Sequence, residues 1–148
     1  MAPSMCAVPA PSVISAEFFS KRLARLCLAG GTRSLPKSTQ DRQILMKSMQ
    51  LMFDAARDYG EKEVNQLLGT WLSDVAPALD SDHVMLRRLL VDHGFLVRSS
   101  DGGVYRVGPE RGDFEAAVNH VDPVRIMQDA RAAEAERKAA HTGGAGRS

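Results

Sequence analysis

The sequence predicts a mainly α-helical fold with one small β-hairpin: a winged helix-turn-helix-like domain with extra helices at both ends. Three observations predict it. The stretch from Asp82 to Val107, DHVMLRRLLVDHGFLVRSSDGGVYRV, reads as a helix that runs straight into a hairpin. Asp101-Gly102-Gly103 within it is hairpin-turn chemistry, because tight turns need positive φ and glycine tolerates it. Two amphipathic stretches, Gln40–Arg57 and Glu61–Leu68, lie upstream and supply the other helices such a domain needs.

In chain order, residues 1–14 hold three prolines among small residues and are expected to be a disordered leader. No basic region precedes its apolar residues, so a signal peptide is not expected. Residues 15–32 are expected to form an N-terminal helix. Ser15 offers an N-cap, Phe18, Phe19, Leu23, Leu26 and Cys27 recur at helical spacing, and Gly30-Gly31 ends the run. Lys21, Arg22 and Arg25, with Arg33 just beyond, against Glu17 leave residues 15–33 at +3 (four minus one). That charge suits either a solvated face or the basic outer side of a dimerisation helix.

Residues 33–108 are the expected winged-helix-like domain. Leu35-Pro36 is a break. Leu45, Met49, Met52 and Phe53 then give one apolar face, which Ala56 continues. Asp58-Tyr59-Gly60 reads as a turn, Glu61–Leu68 as the next helix with Val64, Leu67 and Leu68 inward, and Trp71 and Leu72 extend the apolar face. Glu61 and Glu63 suit the positive end of that helix's dipole. Val75-Ala76-Pro77-Ala78-Leu79 is a connector, longer than a tight helix-turn-helix uses. Asp80, Ser81 or Asp82 can cap the third helix, whose face is Leu86, Leu89, Leu90 and His93, and Gly94 stops it. Phe95–Val97 and Val104–Val107 read as the two strands. Residues 109–140 are an expected helical extension. Phe114–Val118 is a turn packing back on the domain, Asp122-Pro123 starts a helix, and Val124, Met127, Ala130 and Ala133 give it a thin apolar stripe. Residues 141–148, Gly-rich and polar, are an expected disordered tail.

Composition narrows the function. The 148 residues suit one domain with tails, and a hydrophobic share of 44% is enough for a core. Nineteen basic against 18 acidic residues give +1, so any nucleic-acid contact must come from a local patch. No run approaches the roughly 18–20 apolar residues that span a bilayer, and no membrane role is expected. Cys6 and Cys27 form no framework, which fits a reducing cytoplasm.

The candidate contacts are arginines. Arg87 and Arg88 lie on the helix that would read a duplex. Adjacent helical positions are about 100° apart, so at most one points straight at DNA. A major-groove or phosphate contact is one reading. A salt bridge to Glu61 or Glu63 is the other. Arg98 and Arg106 stand on the two wing strands, where they could lie along a phosphate backbone or form a cross-strand solvated pair. Glu63 and Asn65 bracket Val64, and a mid-helix Asn implies that its amide is used, by a partner or to fix the helix to its neighbour. His83 and His93, about 15 Å apart along one helix, cannot share a metal, and Cys27 and His120 have no ligand spacing. No metal or cofactor is expected. No nucleophile elbow, P-loop or Rossmann glycine pattern occurs, so no catalytic residue is named and an enzyme is not expected.

Leu35-Pro36, Tyr59-Gly60-Glu61-Lys62-Glu63-Val64-Asn65 with Leu68, Asp82-His83, Leu86-Arg87-Arg88 with Leu90-Val91-Asp92, Gly94-Phe95-Leu96 with Arg98, and Asp101-Gly102 with Tyr105-Arg106 follow one another in a specific order. This pattern resembles the prokaryotic family called domain of unknown function 2087, over about half the chain. Between Gly69 and Ser81 the connector is longer than the family pattern and carries Pro77. The resemblance implies a small winged-helix-like domain, found alone or attached to transcriptional regulators, with no enzyme activity. Glu63, Asn65, Tyr59 and Tyr105 are then expected as structural or partner contacts, and Arg87, Arg88, Arg98 and Arg106 as nucleic-acid contacts. The expected function is DNA binding or transcription regulation, with double-stranded DNA as partner and a terminal helix that dimerises the chain. The alternative is a winged-helix-shaped protein-interaction module that does not bind DNA.

Overall fold

The structure, a computed structural model, describes residues 13–28, 33–109 and 114–146, with side chains through Ala140. It is mainly helical with one small antiparallel hairpin. Helix α1 spans Ala16–Cys27, α2 Thr39–Gln50, α3 Glu61–Asp74, α4 His83–Asp92 and α5 Pro123–Gly146. Strands β1 (Leu96–Arg98) and β2 (Tyr105–Val107) follow α4, and a 3₁₀ turn covers Ala116–His120. The first twelve residues and the Gly30-Gly31 stop lie outside the described residues.

Helix starts follow the capping chemistry of the sequence. Ser15 accepts from Phe18 N at 3.0 Å, Ser38 from Asp41 N at 3.3 Å and Asp82 from Met85 N at 2.9 Å. The Glu63 carboxylate reaches back to Gly60 N at 3.0 Å. The end of α4 is a Schellman motif. Gly94 takes φ 79°, Gly94 N donates to Val91 O at 3.1 Å, and Phe95 N donates to Leu90 O at 2.8 Å.

Several boundaries differ from the sequence expectation. Helix α2 stops at Gln50 instead of running to Arg57. The Tyr59 hydroxyl accepts from Asp54 N at 2.7 Å, and the Asp54 carboxylate accepts from Ala56 N at 2.9 Å. Both amides are captured before a helix can use them, and Ala56 is left exposed. Helix α3 passes Leu68 and ends at Asp74, because Trp71 continues the buried Val64–Leu68 spacing. Helix α5 runs through Gly146, beyond the Ala140 boundary expected for a polar tail. At the other end Ile14, assigned by sequence to the leader, is buried and bridges Phe114.

Helix α2 is the axis of the core, and Ile44–Gln50 are buried on every side. Its polar residues are therefore hydrogen-bonded. The Trp71 indole donates to Ser48 Oγ at 2.9 Å. Lys47 Nζ donates to Gln50 Oε1 at 2.9 Å and to Asn119 Oδ1 at 2.7 Å, and Gln50 Nε2 donates to Phe95 O at 2.8 Å. That chain of bonds ties the 3₁₀ turn, α2 and the start of the hairpin together. Helices α1 and α5 pack on each other, burying Phe19, Leu23 and Met127. Arg22 on α1 holds Asp41 on α2 through two bonds of 2.8 and 2.9 Å. Phe18, expected on the buried stripe, is 43% exposed, because Phe19 takes the inward position.

The hairpin pairs Leu96 with Val107, Val97 with Arg106 and Arg98 with Tyr105. Tyr59 adds a one-residue third strand: Tyr59 N donates to Tyr105 O at 2.8 Å and Tyr105 N to Tyr59 O at 2.7 Å. At the tip Gly102 takes φ 77°, whereas Gly103 does not need a positive value. A Cβ on Gly102 would stand 2.5 Å from Arg98 Nη2. Gly102→Val should therefore cost about 1 kcal/mol or more, and Gly103→Val clearly less. Urea unfolding of the two variants checks this, and equal costs would refute the turn assignment.

Candidate functional site

Helix α4 packs against α3 on one side and β1 on the other, which leaves a cleft between it and the hairpin. The cleft measures about 300 Å³ and is lined by Arg87, Arg88, Val91, Asp92, Arg98 and Tyr105. Three of the four arginines singled out from the sequence thus meet in one place. Their charge against Asp92 leaves the lining at +2 (three minus one).

Each arginine is held differently. Arg87 donates to Asn65 Oδ1 on α3, and its guanidinium lies 3.9 Å from Glu61. Its side chain is only 15% exposed. The salt-bridge reading of Arg87 therefore describes its surroundings, and Asn65 fixes α3 to α4. Arg88, one position on, is exposed and makes no ion pair or hydrogen bond with the described residues. Arg98 lies over the Tyr105 ring, 5.9 Å from its centroid, and has no carboxylate partner among the described residues.

Arg106 does not join them. Side chains alternate along a strand, so Tyr105 and Arg106 point to opposite faces of the hairpin. Arg98 stands across from Tyr105, and Arg106 across from Val97. Arg106 instead meets Asp58 at 3.2 Å on the far side, with both side chains well exposed. Of the four arginines expected as nucleic-acid contacts, three line the cleft and Arg106 stands apart from it. The alternation itself could have signalled this, since an inward Tyr105 forces Arg106 outward.

The remaining candidates are structural in place. Glu63 pairs with Arg57 as well as capping Gly60. Tyr59 is buried, its ring edge-on to Phe53 at 5.1 Å. Sequence reasoning missed Val91 and Asp92 as cleft residues. It also missed the outward residues of α4, Val84 and Met85, which are 42% and 55% exposed. His93 is exposed at the C-cap instead of continuing the apolar face. Among the described residues no group of three or more His, Cys, Asp or Glu could hold a metal ion. Burial pushes the Cys27 thiol up to about 12, so it is not poised as a nucleophile. No helix among the described residues is long and apolar enough to cross a membrane.

The profile of a protein family described as an uncharacterized protein conserved in bacteria, domain of unknown function 2087, matches residues 32–107. That span is just over half of the chain. The chain belongs to this family. The domain of unknown function 2087 takes in α2, α3, α4 and the hairpin, and with them the whole arginine cleft. Helices α1 and α5 lie outside it and pack on it from the flanks. No curated protein and no solved structure matches the chain.

Proposed function

We propose that this protein binds double-stranded DNA through the α4–hairpin cleft, as a non-catalytic, winged-helix regulatory protein of the bacterial cytoplasm. The observation that carries the reading is the convergence of Arg87, Arg88 and Arg98 on one open cleft, two of them without a carboxylate partner among the described residues. The order of elements supports it. Helix α2, the single bridging residue Tyr59, α3, α4 and the hairpin follow the order of a winged helix, with α4 in the place of the reading helix.

A second reading is a protein-interaction module, favoured by exposed Val84 and Met85 on α4 and Val97 on β1. Salt separates the two, because a phosphate-binding protein loses affinity steeply as salt rises and an apolar interface does not. Arg88→Ala and Arg98→Ala should each lower the magnitude of the salt slope on random duplex by about one unit. Arg106→Ala should leave it unchanged, and Arg87→Ala should lower stability as well as binding. Absence of duplex binding by the wild type at low salt, with any arginine variant, would leave the interaction module.

A further inference from the structure

We infer that the α4–hairpin cleft is a built seat for a single phosphate group, in which the Tyr105 hydroxyl donates beside the Arg88 and Arg98 guanidiniums. The inference rests on the site of the duplex reading and deepens it by naming the group recognised and a residue that reading does not use.

Tyr105 carries the argument. The residue is 2% exposed and lines the cleft. A tyrosine hydroxyl at such depth ordinarily finds a partner. Tyr59, comparably buried, has one, the amide of Asp54 at 2.7 Å. The Tyr105 hydroxyl makes no hydrogen bond with the described residues, yet it is not among the buried polar atoms sealed away without a partner. It therefore keeps contact with solvent, as a donor with no acceptor among the described residues.

The surroundings suit an anion with several acceptor atoms. Arg98 lies over the same ring, its guanidinium carbon 5.9 Å from the centroid, within reach of a cation–π contact. Gly102 leaves room for its guanidinium, since a Cβ there would meet Arg98 Nη2 at 2.5 Å. Arg87 is fixed by Asn65 and Glu61 and forms a positive wall. Arg88 is free to close on the ligand from α4. Asp92 shares the wall, and the lining stays net positive. Tetrahedral phosphate oxygens take such converging, charge-assisted donors well.

The test uses the full chain and three probes: inorganic phosphate, a thymidine dinucleotide with one phosphodiester, and a random duplex. Tyr105→Phe removes only the hydroxyl. It should weaken dinucleotide and duplex binding roughly tenfold, in the range of a lost hydrogen bond to a charged group. Its urea midpoint should not move, because the hydroxyl has no internal partner. Tyr59→Phe should do the reverse, losing stability while keeping affinity. Binding of inorganic phosphate that falls in Tyr105→Phe, without any duplex binding, would keep the seat and end the duplex reading. Duplex binding that Tyr105→Phe leaves unaltered would overturn the seat and keep the duplex reading. A wild type that takes none of the three probes would overturn both.

Discussion

Trp71→Ala is expected to destabilise the protein by about 3–5 kcal/mol. The side chain is fully buried on α3, in register with Val64 and Leu68. Its indole N–H donates to Ser48 Oγ at 2.9 Å, and that hydroxyl donates on to Leu45 O at 2.6 Å. Truncation removes the largest fully buried side chain of the core and opens a cavity between α2 and α3. Against a typical total of about 5–15 kcal/mol, that loss brings the fold near its limit. Trp71→Phe keeps most of the volume and loses the hydrogen bond, so it should cost less. Urea unfolding followed by circular dichroism is the measurement, because Trp71 is the only tryptophan and fluorescence is lost with it. A cost below about 1 kcal/mol for Trp71→Ala would contradict its place in the core.

Leu86→Ala should cost about 2–5 kcal/mol, and Leu89→Ala distinctly less. The helical spacing of Leu86, Leu89, Leu90 and His93 puts all four on one face. The structure buries Leu86 and Leu90 completely, leaves Leu89 partly covered and exposes His93. The cause is the direction from which α4 is covered. Helix α3 and β1 enclose a stripe centred on Leu86 and Leu90, and Leu89 lies at its border. His93 is the C-cap, where the chain has already left helical geometry at φ −97° and ψ 5°. Equal costs for the two leucines in the same unfolding assay would show a different buried face.

What was legible in the sequence follows from range. A cap among Asp80, Ser81 and Asp82, a stop at Gly94 and a positive-φ glycine in the Asp101-Gly102-Gly103 turn are decided by a few neighbouring residues, and the structure uses Asp82, Gly94 and Gly102. The mainly helical class with a hairpin follows from those signals and from the apolar spacing. The end of α2 was not legible, because the group that captures Asp54 N is a hydroxyl five residues on, placed there by the Tyr59–Tyr105 bridge. The site was half legible. Arginine on α4 and on the hairpin strands was visible, and so was an ion pair of Arg87 with Glu61 as one of its readings. Which arginines share a face depended on the strand register, and the open hydroxyl of Tyr105 depended on which donors and acceptors lie within reach in the folded chain.

The Tyr59–Tyr105 bridge has a consequence for folding kinetics. Its two residues are 46 positions apart (105 minus 59), and α3 and α4 lie inside the loop it closes. The helices gather on contacts nearer in sequence, while this rung must meet the closure entropy of the whole intervening chain. The Tyr59 rung, which joins β2 at Tyr105 beside the turn, is thereby expected to form late in folding, after the local Arg98–Tyr105 pairing of the hairpin. A partly folded chain with every helix and the hairpin formed would still lack the rung that holds Tyr105 of the arginine cleft. A ligand that needs the finished cleft then favours the native state over such precursors.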